Sequence, residues 1–144
     1  MLKKPGSTKV PAANRFNMTH SGRLAAVIVS DASDAGIDAE KIRKTNAALK
    51  SRVCTSFEQK YLSACSEASG NELFIRMWTV KESFMKLLGS GLSAGAAQIE
   101  TSFTEPERVL YKMEPADVFF KTWKMEDCWI TCAFQNPDRI QIIY

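Results

Sequence analysis

The 144-residue chain predicts an α+β fold on three observations. A β-branched apolar run stands early, at Leu24–Val29; helical apolar spacing fills the middle, above all over Glu72–Leu88; after Gln98 short alternating segments are separated by Pro, Asp, Glu and Asn. Helices between two groups of strands imply an antiparallel sheet packed against helices. With 45% hydrophobic residues, one core is expected, burying about two-thirds of the unfolded surface.

Residues 1–14, rich in Pro, Lys, Ser and Ala, are expected to form a basic extended lead-in to a single domain over 15–144. No acidic residue precedes Asp31, whereas Lys3, Lys4, Lys9, Arg15 and Arg23 all do. Charge alone reads this as a solvated basic tail.

Leu24–Val29 is a strand, Ser30–Asp34 supplies turn residues and Ala35–Asp38 resumes an extended pattern, so a β-hairpin is expected. Alternation points Asp38 and Glu40 to one face and Ile37 and Ala39 to the other. Two carboxylates so close repel each other unless a cation stands between them.

Thr45–Val53 is a short helix candidate, and Ser56-Phe-Glu-Gln59 reads as a capping box opening a second helix that buries Phe57, Tyr61, Leu62 and Cys65. Ser69-Gly70-Asn71 is expected to break it. A third helix over Glu72–Leu88 gathers Phe74, Met77, Trp78, Phe84, Met85 and Leu88 near one face and stops at Gly89. On it Glu82 and Lys86 lie one turn apart, the ordinary reading being a surface ion pair, and Trp78 reads as a core anchor.

Gly89-Ser-Gly-Leu-Ser-Ala-Gly95 is a helix-to-strand turn, since the Gly-Lys-Ser/Thr ending of a phosphate loop is missing. Strands are expected at Gln98–Ser102, Val109–Met113, Val118–Met125, Trp129–Gln135 and Arg139–Ile143.

Lys and Arg outnumber Asp and Glu by 19 to 16, too small an excess for a nucleic-acid footprint. No apolar run nears the roughly 20 residues of a membrane span, and Met1-Leu-Lys-Lys-Pro5 does not open a signal sequence. The four cysteines have no zinc-ligand spacing and the one His is remote from them, so reduced, mostly buried thiols in a soluble cytoplasmic protein are expected.

Four segments together resemble one family. They are Lys3-Lys4-Pro5, Asn17-Met18-Thr19-His20-Ser21, Gly36-Ile37-Asp38-Ala39-Glu40 and Trp78-Thr79-Val80-Lys81-Glu82-Ser83-Phe84-Met85-Lys86. In order and spacing they are similar to the 4'-phosphopantetheinyl transferases of the surfactin-synthetase-activating (Sfp) type. Lys3 departs from that family's usual Gly, Thr19 from Ser and Ala39 from a β-branched residue.

The resemblance implies a transferase-like half fold, and magnesium-dependent transfer of the phosphopantetheine arm of coenzyme A to a serine of an acyl or peptidyl carrier protein, with adenosine 3',5'-bisphosphate released. It implies Asp38, Glu40 and Glu82 as magnesium ligands, and Lys4, Thr19, His20 and Lys86 as contacts to coenzyme A phosphates, Lys86 on the pyrophosphate. Glu82, or a water near it, would take the serine proton. Hard oxygen ligands suit magnesium, and phosphoryl displacement is accelerated by positioning and charge neutralisation.

The resemblance also implies that the chain begins late in the first of the family's two similar halves. Either a second copy completes the cleft or the chain is a truncated, non-catalytic domain binding coenzyme A or a carrier. The face left by the missing lobe is expected to be apolar and to drive homo-oligomerisation, a dimer ahead of a trimer.

Overall fold

The computed structural model describes residues 15–30, 33–89, 95–104, 107–137 and 140–143; the expected lead-in with Lys4, and residues 90–94 of the Gly89–Gly95 segment, lie outside them. Three strands, β1 (Arg15–Ser21), β2 (Leu24–Ser30) and β3 (Ala35–Lys41), precede three helices, α1 (Ala47–Val53), α2 (Ser56–Ser63) and α3 (Glu67–Leu88). A 3-10 turn at Ala96–Gln98 leads into β4 (Ile99–Thr101), β5 (Val109–Tyr111), β6 (Glu114–Pro115), β7 (Phe119–Met125), β8 (Cys128–Phe134) and β9 (Ile140–Ile143). The fold is α+β, with three antiparallel sheets ordered β1-β2-β9, β3-β8-β7 and β4-β5-β6.

The expected hairpin between Leu24–Val29 and Ala35–Asp38 does not form. β2 pairs with β1 and β9, and β3 pairs with β8. The physical reason is that both strands carry apolar inner faces: Ala26 and Ile28 stack on Ile37, Ala39, Ile130, Cys132 and Phe134 in one core between the two sheets. Face-to-face packing buries both apolar faces, which edge-to-edge pairing would leave in one layer.

One strand, β1, has no counterpart among the expected elements. Its polar residues Asn17, Thr19 and Ser21 alternate with Phe16, Met18 and His20, the period of two that marks a strand.

α1 starts at an Asn46 cap. The capping box of α2 lies one residue earlier than expected, between Thr55 and Glu58. Its buried face also differs: Leu62 is buried, but Phe57 and Tyr61 are exposed and Glu58 is fully buried. A buried carboxylate is tolerated only with partners, and Glu58 has Lys81; the displaced aromatics pack outside, Tyr61 stacking on Phe103 at 4.6 Å.

α3 begins five residues before the expected Glu72, at Glu67, because the Ser66 side chain caps it and the helix runs through Ser69-Gly70-Asn71. There Gly70 meets Leu62 and Cys65, and Asn71 Oδ1 accepts from Thr45 N at 3.1 Å, so those residues serve close packing. Phe74, Met77, Phe84 and Met85 are buried as expected, and Trp78 packs edge-on to Phe74. Leu88 is 43% exposed and Leu87 takes its place inside. Gly89, at φ +69°, ends the helix in the left-handed conformation glycine adopts at least cost.

α3 lies on β3 and β8, on the side away from β2. Among the described residues no helix is long and apolar enough to cross a membrane. The four cysteines are unpaired, and Cys54, Cys128 and Cys132 are buried.

Candidate active site

β1 and β3 run parallel along one side of the inter-sheet core without a main-chain ladder. Instead Asn17 Oδ1 accepts from Ile37 N at 3.0 Å, Thr19 Oγ1 from Ala39 N at 3.1 Å and Ser21 Oγ from Lys41 N at 2.9 Å. Three alternate side chains of one strand thus satisfy three alternate amides of the next. The alternation of Asn, Thr and Ser was the available signal for this seam.

Alternation along β3 sends Ile37 and Ala39 into the core and Asp38 toward α3. On that face Gly36 is indispensable: a Cβ there would lie 2.0 Å from Ser83 O and 2.7 Å from Leu87 N of α3. Helix and strand therefore touch backbone to backbone, which brings the α3 side chains within reach of Asp38.

Lys86 uses that reach. Its Nζ donates to Asp38 Oδ1 at 3.1 Å and to Ile37 O at 2.8 Å. The expected Glu82–Lys86 surface pair is replaced by this cross-element pair, since β3 supplies a more buried carboxylate; Asp38 is 6% exposed. Asp38 Oδ1 also faces the Thr19 hydroxyl at 3.5 Å, while Oδ2 is buried with no hydrogen-bond partner.

Burial pushes the Asp38 carboxyl up to about 7, against the Lys86 ammonium, and with Glu40 and Glu82 adding repulsion. Burial also raises Glu82, with Lys86 opposing and Glu40 reinforcing the shift. The three carboxylates and the lysine form one electrostatic cluster. In this conformation Glu40 Oε2 turns to Arg43 Nη1 at 2.9 Å, and among the described residues no three His, Cys, Asp or Glu side chains stand in a metal-holding arrangement.

The donor chemistry still fits a hard cation. An unpartnered, buried carboxylate oxygen flanked by two further carboxylates is unfavourable by itself and is relieved by a divalent ion.

Thr19 and His20, adjacent on β1, face opposite ways. Thr19 is buried, its hydroxyl committed to β3, whereas His20 is exposed on the outer face. Lys86 and Asp38 meet; Glu82 is half-buried nearby; Lys4 lies outside the described residues. Two clefts of the described residues, about 560 Å³ beside Trp123 and Ile140 and about 470 Å³ beside Glu100 and Leu110, are lined by none of Asp38, Glu40, Glu82 and Lys86.

Sequence reasoning assigned no role to Lys81 of the Trp78–Lys86 segment. It is fully buried and paired with Glu58 at 2.6 Å. The early capping box, which turns Glu58 inward, was the signal for that pair.

A family profile, the 4'-phosphopantetheinyl transferase superfamily, matches residues 34–133. The 4'-phosphopantetheinyl transferase psf-1 of Bacillus pumilus is 31% identical over 102 residues, covering 71% of this chain and 43% of that protein. HetI of Nostoc sp. is 32% identical over 103 residues, covering 70% and 43%. Sfp of Bacillus subtilis is 34% identical over 90 residues, covering 62% and 39%. The chain spans less than half the length of these curated relatives.

Among solved structures, a holo-(acyl-carrier-protein) synthase of Bacillus anthracis in complex with CoA (3',5'-ADP) superposes with a TM-score of 0.60 at 15% identity, over 70% of this chain and 93% of that one. The corresponding synthase of Neisseria meningitidis gives 0.55 at 16% identity, over 70% and 95%. At these identities the likeness is one of fold.

Proposed function

Because the chain belongs to the 4'-phosphopantetheinyl transferase superfamily, we propose that it transfers the phosphopantetheine arm of coenzyme A to a serine hydroxyl of an acyl or peptidyl carrier protein. The observation that carries the reading is the buried Asp38 carboxylate, one oxygen paired to Lys86 and the other without a partner, held between β3 and α3.

In the transfer a bond forms between the serine oxygen and the phosphorus of the arm. The bond from that phosphorus to the oxygen bridging it to the nucleotide breaks, and adenosine 3',5'-bisphosphate leaves. Asp38, Glu40 and Glu82 would hold Mg²⁺, which neutralises phosphate charge and orients the pyrophosphate when bound.

Lys86, already directed at Asp38, stabilises charge on the pyrophosphate. His20 and Lys4 contact nucleotide phosphates. Thr19 contributes through its hydroxyl, which also supports β3. Glu82, whose proton affinity burial raises, takes the serine proton directly or through a water.

The working form is a homo-oligomer, a dimer ahead of a trimer, joined by the outer face of the β1-β2-β9 sheet. Register puts Phe16 beside Val29, Met18 beside Val27 and Val27 beside Ile143 on that face, and Phe16 and Met18 are 72% and 56% exposed. Three buried thiols without disulfides suit a reducing, cytoplasmic setting. The alignments reach 43% of psf-1 and 43% of HetI, and the part of those relatives outside them leaves one alternative, a non-catalytic domain that binds coenzyme A or a carrier.

Incubation with coenzyme A, Mg²⁺ and an apo-carrier protein tests the reading by mass spectrometry. The expected result is a carrier heavier by one phosphopantetheine arm, lost when the metal is chelated. Calorimetric binding of coenzyme A with no mass shift on any carrier would establish the alternative.

A further inference from the structure

We propose that Lys81, together with Glu58, is a positioning residue for the carboxylate site; the inference rests on the transferase reading above. Both side chains are fully buried. Lys81 Nζ donates to Glu58 Oε2 at 2.6 Å, to Val53 O at 2.7 Å and to Ala96 O at 3.0 Å, so its three protons are all used.

Glu58 is equally occupied. Its Oε2 also accepts from Thr55 N at 2.8 Å, and its Oε1 accepts from Thr101 N at 2.8 Å and Thr101 Oγ1 at 3.0 Å. One ion pair therefore ties the end of α1, the start of α2, the middle of α3, the 3-10 turn and β4.

Such a pair is a weak source of stability, because desolvating two charges offsets most of their attraction. What it supplies is direction. Burial disfavours the charged lysine and Glu58 opposes that effect, so the ammonium is held only where the carboxylate and both carbonyls converge.

Successive helix residues are rotated by about 100°. Ser83 is thus about 200° round from Lys81, and Glu82 and Lys86 fall between them at about 100° and 140°. Ser83 O is fixed against Gly36 on the sheet side, and Lys81 is fixed against the α1–α2 junction on the other. The two contacts set the rotation of α3, and Glu82 and Lys86 emerge between them toward Asp38. The same lysine holds the end of α1, the first helix after Asp38 and Glu40.

The test compares wild type, Lys81→Met and the double variant Lys81→Met with Glu58→Gln, which leaves no buried charge unpaired. Melting temperature establishes folding, electron paramagnetic resonance measures Mn²⁺ affinity in place of Mg²⁺, and carrier modification gives kcat and KM for coenzyme A. The double variant is expected to unfold cooperatively while binding Mn²⁺ about tenfold more weakly and losing about tenfold in kcat, with KM for coenzyme A changed less than about twofold. A folded double variant with wild-type Mn²⁺ affinity and kcat overturns the inference.

If wild type itself neither binds Mn²⁺ nor modifies a carrier, the transferase reading fails, and amide exchange then decides the positioning role. Faster exchange over residues 37–39 and 82–86 in the folded double variant supports it, and unchanged exchange overturns it.

Discussion

Thr19 Oγ1 accepts a hydrogen bond from the main-chain N–H of Ala39 at 3.1 Å, the middle one of the three side-chain bonds that stand where a strand ladder would otherwise run. The hydroxyl proton is left facing Asp38 Oδ1 at 3.5 Å. Thr19 thus supports both the backbone and the carboxylate of the candidate site.

Thr19→Val keeps the shape and removes the acceptor, leaving a buried amide without a partner. An expected loss of about 1–3 kcal/mol follows, read as a lower urea midpoint. Thr19→Ser keeps the oxygen and should hold the midpoint near wild type. If both variants unfold at the wild-type midpoint, the seam does not depend on this bond.

Asp38 sets a pH dependence in the metal-free protein. Its carboxyl ionises near 7 when folded against a model value of 3.8. A folded value raised above the unfolded one means that the group's stabilising contribution is fully present below about pH 3.8 and is lost as pH rises through about 7. The melting temperature of the metal-free protein should therefore fall between about pH 3.8 and about pH 7 and level off above, and Asp38→Asn should flatten the slope. Mg²⁺ at pH 8 should recover the loss in wild type and not in Asp38→Asn, as a native-state ligand must.

Gly36→Ala tests the contact that brings helix to strand. The new methyl would lie 2.0 Å from Ser83 O, and both neighbours are backbone, so α3 must move away from β3. Overpacking of this kind is expected to destabilise by at least about 1–3 kcal/mol. Moving α3 off β3 should also let water reach Asp38 and relieve the burial that raises its carboxyl, seen as a shallower pH slope than wild type. A melting temperature equal to wild type would show that the close approach is not required.

What the sequence made legible follows from where each signal is local. The face carrying Asp38 is fixed by strand alternation, and the Gly89 stop by one backbone conformation, so both could be read from a few neighbouring residues. Edge pairing is not local. Leu24–Val29 and Ala35–Asp38 look like a hairpin because turn residues separate two apolar runs, and only the core between the sheets makes them stack. The Gly70-Asn71 pair resembles a break until Thr45 and Leu62 are seen against it. Phe57 and Tyr61 were expected inside on hydrophobicity, but Glu58 took the interior because a lysine 23 residues away completes it. The partner of Lys86 was likewise hidden: helical spacing offers Glu82, while Asp38 comes from another element.

The cysteines give a chemical check on burial. Burial pushes Cys132 up to about 12 and Cys54 up to about 11, and it raises Cys128 as well. A thiolate is the reactive form, so a disulfide reagent at pH 8 should label one thiol quickly, the partly exposed Cys65, and the other three only on unfolding. Two or more fast thiols in the native protein would contradict the packing of β8 and of the α1–α2 junction.

The outer face of the β1-β2-β9 sheet makes the assembly testable. β2 is apolar along most of its length: the core covers its inner face, and in the proposed assembly a partner would cover the outer one. Met18 and Val27 are direct neighbours there, so Met18→Glu with Val27→Glu places two charges at the middle of the proposed interface, where desolvating them opposes association. Light scattering should give a multiple of the chain mass for wild type and a single chain mass for the double variant. Met113→Glu, at a 93% exposed apolar residue elsewhere, should leave the mass of the assembly unchanged. A wild-type protein that stays monomeric at tens of micromolar would remove the oligomer and, with it, the means of completing the cleft around Asp38 from a second copy.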